Sequence, residues 1–206
     1  MEQIYPFLAA VAAYLIGSLS FAVIVSKAMG LSDPRSYGSK NPGATNVLRS
    51  GRKQAAIATL VLDALKGFLP VFAVQMWGKH FGMADGTVAM VAFGAFIGHV
   101  FPVFFQFKGG KGVATAAGVA FGVHWVLGLA VLASFAIILY FFRYVSLASM
   151  VAAAFAPVYY MFGDRVAWYT SRPIIMALFL IAIVLVVRHK DNLNRLLEGK
   201  EAKLKS

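Results

Sequence analysis

Long apolar runs, each closed by a short polar turn, set the pattern of this chain. They cover residues 4–26, 54–77, 87–107, 113–123, 125–142, 147–162 and 173–187. A helix needs about 20 apolar residues to cross the hydrocarbon core of a bilayer, so several of these runs predict a spanning helix unaided. The stretch 113–142 is too long for one ordinary span and too short for two, which would take about 40 residues. No repeat of fixed period, low-complexity tract or long linker divides the chain, so residues 1–206 predict one helical bundle. Glycines four apart, Gly94 with Gly98 and Gly118 with Gly122, would let neighbouring backbones pack closely.

The placement of basic residues orients the bundle. Lys27, Arg35, Lys40, Arg49, Arg52 and Lys53 lie between the first two runs, and Lys108 and Lys111 follow the third. Arg143 precedes the sixth run; Arg188, Lys190, Arg195, Lys200, Lys203 and Lys205 follow the last. All of these share one side only if 113–142 folds as a hairpin containing at least one short helix. The opposite loops then hold only Lys79, Arg165 and Arg172. Lysine and arginine concentrate on the cytoplasmic side, which predicts seven transmembrane helices with the N-terminus outside and the C-terminus cytoplasmic. Met1-Glu2-Gln3 carries no basic segment ahead of the first run, so no cleaved signal peptide is expected.

Composition supports the membrane reading. Of the 206 residues, 60% are apolar and 13% charged, against roughly 25% charged in a typical soluble domain. Mean hydropathy is +0.76, and the 18 Phe, 8 Tyr and 3 Trp exclude a disordered, solvated chain. The absence of Cys rules out a disulfide framework and thiolate chemistry. With 19 Lys and Arg against 8 Asp and Glu, nucleic acid is a possible partner by charge alone. The basic residues, however, fall in clusters between apolar runs and form no basic helix or aromatic platform, so membrane orientation accounts for them.

Three polar segments interrupt the apolar background, and the charge argument puts all three on the cytoplasmic face. In the first, 38–49, Asn41 is expected to cap a helix beginning at Pro42. Free N–H groups at its start favour an anion, and Thr45 and Arg49 would share one face. A plain capped surface helix would look the same in isolation. The second, Lys108-Gly109-Gly110-Lys111-Gly112, is a glycine-rich turn whose backbone can approach a ligand while Lys111 supplies charge; a flexible turn at the membrane edge is the alternative. It is not a nucleotide-binding loop, because Phe105 stands where the first glycine of that pattern belongs and Gly112 follows the lysine. The third, 189–199, is read as continuing the last span, with His189, Asn192 and Arg195 or Leu196 along one side, though a solvated helix end has the same composition. Arg143-Tyr144-Val145-Ser146 adds a hydroxyl at Ser146, placed to cap the sixth helix or to touch a ligand.

Other polar residues are read as structural. Asp63 and Lys66 are expected to pair inside the bundle. His99 and His124 stand alone on apolar helices, and no set of residues has metal-ligand spacing. His80 and Asp85 match the H-x4-D acid–base pair of acyltransferases that use thioester donors, but they fall on the outer face, away from the polar segments, and are read as coincidence. No G-x-S-x-G elbow occurs.

Four stretches in order, G-S-K-N-P-G-A-T-N-V (38–47), H-V-F-P-V-F-F-Q-F-K-G-G-K-G-V-A-T (99–115), R-Y-V-S-L-A-S (143–149) and R-H-K-D-N-L-N-R-L-L-E-G (188–199), resemble the bacterial membrane-integral, acyl-phosphate-dependent glycerol-3-phosphate acyltransferases. The resemblance runs through almost the whole chain. It implies transfer of a fatty acyl group from acyl phosphate to the 1-hydroxyl of glycerol 3-phosphate, giving lysophosphatidic acid and phosphate in the first acylation of phospholipid synthesis. It also implies a seven-helix bundle in the bacterial cytoplasmic membrane with a site facing the cytoplasm, and no metal or cofactor. By position, Ser39, Lys111, Ser146, His189 and Asn192 correspond to catalytic residues, and Thr45, Asn46, Arg49, Gly109, Gly110, Gly112 and Arg195 to substrate- and phosphate-binding residues. Where some relatives carry Gly after the motif serine, this chain has Lys40. The competing class is a transporter of organic anions or phosphate, which would instead hold its substrate near the midplane on broken helices.

Overall fold

The computed structural model describes residues 4–204; Met1-Glu2-Gln3, on which the expectation about a signal peptide rests, and Lys205 lie outside the described residues. Ten α-helices follow one another: α1 (Ile4–Gly17), α2 (Phe21–Ala28), α3 (Ala44–Leu48), α4 (Lys53–Trp77), α5 (Asp85–Val100), α6 (Val113–Val123), α7 (Trp125–Phe142), α8 (Val145–Phe162), α9 (Arg172–Arg188) and α10 (Lys190–Leu197). Among the described residues there is no strand, only an isolated bridge between Asp164 and Trp168.

Among the described residues, four helical segments are long and apolar enough to cross a bilayer alone: Lys53–Phe81, Asp85–Phe105, Trp125–Phe142 and Val145–Phe162. Two bent pairs raise the number to six if each is one span: α1 with α2, bent by 44°, and α9 with α10, bent by 60°. The remaining apolar helix, α6, has 11 residues, about half of what a full crossing takes. The hairpin expected over 113–142 therefore exists, with its short member first. His124 makes the corner: its extended backbone ends α6, and its ring Nδ1 accepts the Val126 N–H at 3.3 Å, capping α7.

The first run is not one straight helix as its hydropathy predicts. At the end of α1 the Ser18 hydroxyl and N–H both donate to the Tyr14 carbonyl, at 2.8 and 2.9 Å. The backbone opens, and the freed Leu19 carbonyl accepts the Lys66 ammonium at 2.6 Å. Lys66 also pairs with Asp63 at 2.7 Å, as the sequence leads one to expect, and both side chains are buried.

Glycine sets the closest helix contacts. A Cβ on Gly98 would strike the Tyr14 carbonyl of α1, and one on Gly118 the Ala64 carbonyl of α4, so both expected small-residue pairs sit at close backbone crossings. Helix α5 is the central element, packed against α1, α4 and α9, and Phe96 on it is fully buried. Helix α7 is peripheral: Tyr140 and Phe141 are more than 70% exposed. In water such side chains would form an adhesive patch, whereas acyl chains cover them without cost.

Because α4, α6 and α8 begin where α5, α7 and α9 end, the polar segments around residues 38–52, 101–112, 143–146 and 188–204 gather at one end of the bundle.

Candidate active site

The glycine-rich turn is shaped from both sides. Pro102 ends α5, a short 3-10 turn covers Val103–Phe105, and Gln106 and Phe107 both take left-handed backbone angles to reverse the chain. At its far end Gly112 has φ +84° at the N-cap of α6, and a side chain there would collide with the Phe96 ring. Only glycine meets both demands. Between these points Gly109 and Gly110 are buried, and Lys111 sends its Nζ to the Oδ1 of Asn192. The Arg188 guanidinium, stacked on Phe101, donates to the Gly109 carbonyl at 3.2 Å.

The last polar segment does not continue α9 as a straight extension. The chain bends by 60° at His189, which becomes the pivot between two helices and is only 3% exposed. Its Nδ1 lies 2.8 Å from the Leu185 carbonyl. A carbonyl can only accept, so Nδ1 carries the proton and Nε2 keeps a free lone pair. On α10, Asn192 is buried at the inner side.

Ser146 is the second residue of α8, not its cap; Tyr144 occupies that position. Its hydroxyl donates to Glu201 Oε1 at 2.6 Å. The same oxygen accepts Asn192 Nδ2 at 2.6 Å, and Oε2 accepts Arg195 Nε at 2.8 Å. Gly199, at φ +68°, turns the tail back to make this possible, and the Leu204 N–H donates to the Arg143 carbonyl at 2.7 Å. Glu201 thus ties the serine motif to α10, a connection sequence reasoning missed. The available signal was a carboxylate two residues past a turn-forming glycine, in a tail otherwise rich in lysine.

Charge is distributed unevenly across this cluster. Burial pushes the Lys111 ammonium below its ordinary value, with Glu201 pulling the other way. Burial would raise the Glu201 carboxyl, but hydrogen bonds from Ser146, Asn192 and Arg195 outweigh it and hold the group below the usual carboxylate range. Burial takes the His189 ring down to about 4 against the pull of the Leu185 carbonyl, with Lys111 adding to the fall. At neutral pH the His189 imidazole is therefore neutral.

The first motif forms the adjoining loop. The expected cap at Asn41 is not made: α3 starts two residues later, at Ala44, with Gly43 at its N-cap and no side-chain bond. Asn46 braces the loop, donating to the carbonyls of Pro34 at 2.6 Å and Tyr37 at 3.2 Å and accepting the Ser39 N–H at 3.0 Å. Arg49 lies against Gly38. Lys40 takes φ +55°, a conformation in which glycine is at ease and lysine is strained. This loop reaches the glycine turn where the Pro42 carbonyl abuts Gly110. The structure therefore joins Lys111, Ser146, Asn192 and Arg195 in one bonded cluster beside His189, while Ser39, Thr45 and Arg49 stand exposed on the neighbouring loop.

Among the described residues no three His, Asp or Glu side chains are grouped to hold a metal ion. His80 and Asp85 lie near the start of α5, and the glycine turn follows its end. Its 16 residues separate them by about 24 Å.

Fold and site together define an integral membrane helical protein with a cationic polar centre at one end of the bundle. Comparison with known proteins narrows this. The sequence profile of the glycerol-3-phosphate acyltransferase family matches residues 7–199. A glycerol-3-phosphate acyltransferase of Albidiferax ferrireducens is 59% identical over 204 residues, 99% of this chain and 91% of the relative. One from Burkholderia vietnamiensis is 59% identical over 199 residues, 96% of this chain and 90% of the relative. Crystal structures of PlsY (YgiH), an integral membrane glycerol 3-phosphate acyltransferase, share the fold. The glycerol 3-phosphate form superposes with TM-score 0.87 at 37% identity, covering 97% of this chain and 96% of that one. For the lysophosphatidic acid form the TM-score is 0.86 at 36% identity, with 97% and 95% covered. The chain belongs to the glycerol-3-phosphate acyltransferase family.

Proposed function

We propose that this protein transfers a fatty acyl group from acyl phosphate to the 1-hydroxyl of sn-glycerol 3-phosphate, releasing phosphate and lysophosphatidic acid. Membership of the family supports the reaction. The observation that carries the choice of site is the cluster of Lys111, Asn192, Ser146 and His189, assembled from segments far apart in the chain.

Both substrates are phosphate esters or anhydrides, and an acyl phosphate is already activated. Chemistry then reduces to holding two anions side by side and stabilising charge as the carbonyl is attacked. Lys111, the N–H groups of the Gly109–Gly112 turn and Arg49 hold phosphate oxygens, with Thr45 and Arg195 at the edge. The glycerol oxygen forms the new ester bond, the carbonyl–phosphate bond breaks, and the electron pair leaves with phosphate. His189 Nε2, with its lone pair free, accepts the substrate hydroxyl and orients it together with Asn192. An imidazole held to about 4 is a weak base, so the proton passes to a substrate phosphate oxygen. Ser39 and Ser146 complete the polar wall, and the acyl chain lies between apolar helices, open to the bilayer.

Residues 1–206 act as one transmembrane acyltransferase domain in the bacterial cytoplasmic membrane. The proposed arrangement has seven spans, with α6 as the short one, the N-terminus outside, and the C-terminus and site on the cytoplasmic face. The distribution of Lys and Arg supports this orientation.

The test is phosphate release by detergent-purified protein from palmitoyl phosphate. Release that depends on glycerol 3-phosphate is the expected result. Uptake of labelled glycerol 3-phosphate into vesicles without acylation would instead identify a transporter.

A further inference from the structure

Beneath the glycine turn lies a buried charged network that the mechanism does not use. Asp63 and Lys66 stand mid-way along α4, and their carboxylate and ammonium are 2.7 Å apart. His99, at the end of α5, brings its Nδ1 to 3.6 Å from the same Asp63 oxygen. All three residues are less than 10% exposed. Ionisable groups at such depth are expensive and apolar residues would pack there at lower cost, so their presence calls for a task.

The contacts around the turn indicate what that task is. On its upstream side, the His99 carbonyl accepts the Gly110 N–H at 3.2 Å. A Cβ on Gly109 would strike that carbonyl, and one on Gly110 would strike the His99 ring. On its downstream side, the Thr115 hydroxyl donates to the Asp63 backbone carbonyl at 3.0 Å. One residue of α4 therefore touches both flanks of the turn: its carboxylate lies beside the His99 ring, at 3.6 Å and without a hydrogen bond, and its backbone carbonyl binds Thr115. Lys66 completes the brace by reaching the open Leu19 carbonyl between α1 and α2, and its cation lies over the Phe21 ring.

We propose that Asp63, His99 and Lys66 are positioning residues that fix the geometry of the Gly109–Gly112 turn, and through it the binding of a substrate phosphate. The inference rests on the reading of that turn as an anion site. The His99 carbonyl and ring support Gly110 from below while the Asp63 carboxylate packs beside that ring, so the N–H groups of the turn stay aimed at the anion. None of the three touches substrate.

The test compares initial rates of phosphate release by purified variants, varying palmitoyl phosphate and glycerol 3-phosphate in turn, with unfolding temperatures measured on the same samples. His99→Ala is expected to raise at least one of the two KM values about ten- to a hundredfold, since a loop displaced by an ångström loses contacts of that worth. Its kcat should stay within about threefold, because the reacting groups remain. His99→Asn, whose amide nitrogen falls near the position of Nδ1, should recover most of the loss. Gly110→Ala should be damaging in wild type and less so with His99→Ala, which removes the tighter of the two clashes the methyl would meet and leaves that with the Pro42 carbonyl. Where His99→Ala fails to fold, Asp63→Glu keeps the charge, lengthens the arm and should raise KM in the same way. Loss of unfolding temperature with both KM values unchanged, in either variant, overturns the proposal, as does a multiplicative Gly110/His99 pair. A fully active Lys111→Ala would instead remove the anion site on which the proposal stands, whatever the His99 variants do.

Discussion

Lys111 and Asn192, 81 positions apart in the chain, are joined by a hydrogen bond from the lysine Nζ to the asparagine Oδ1. The bond links the glycine turn to α10. Losing one charge-stabilising donor typically costs about a hundred- to a thousandfold in rate. Lys111→Ala is expected to fall in that range with expression intact, as measured by phosphate release.

Glu201 holds Ser146, Asn192 and Arg195 through its two oxygens. Glu201→Gln keeps the shape, loses the charge and turns one acceptor into a donor. Charge-assisted bonds are about twice as strong as neutral ones, so the substitution should lower activity about tenfold. Glu201→Ala should lower it further, because Ser146 and Asn192 then lose their shared acceptor. Rates near wild type in both variants would show that the tail is dispensable.

The depressed His189 ring ties stability to pH. Its folded value is about 4 against an ordinary value near 6.5, so between these two the unfolded chain binds the extra proton. Stability from this group is present above pH 6.5 and is lost as pH falls toward 4, by up to about 3 kcal/mol. Unfolding temperature should decline across that window, and His189→Gln should flatten the decline.

Lys40 pays for a left-handed backbone that glycine adopts freely. Lys40→Gly removes strain of about 1 kcal/mol while adding a similar entropic cost in the unfolded chain. Activity and unfolding temperature should stay close to wild type. Lys40→Val, branched at Cβ, should lower the unfolding temperature.

His80→Ala should leave phosphate release unchanged, because the residue lies a helix length from the glycine turn. A dead variant would restore the H-x4-D pair as the catalytic centre.

Hydropathy located every long helix because bilayer burial acts on the average polarity of a window, and averages are legible. The break at Ser18 leaves no mark in a window average, and the lysine that meets the open Leu19 carbonyl lies 47 positions away. The Asn41 cap fails because the chain stays extended through Gly43, which delays α3 to Ala44. His189 and Asn192 stand on one motif, but the 60° bend between α9 and α10 leaves no mark in periodicity. Glu201 meets Ser146 from 55 positions away, and His99 packs beside Asp63 of another helix. A single sequence records such partners without recording that they meet.

In the proposed site the bend at His189 would also set where a water-soluble and a fat-soluble reactant find each other. The apolar span stops at this residue and α10 departs at an angle, which would put ester formation at the depth where headgroups begin. On that reading glycerol 3-phosphate would never have to enter hydrocarbon, the tail of its partner would never have to leave it, and the new amphiphile would already be seated at its resting level before sliding sideways into the leaflet.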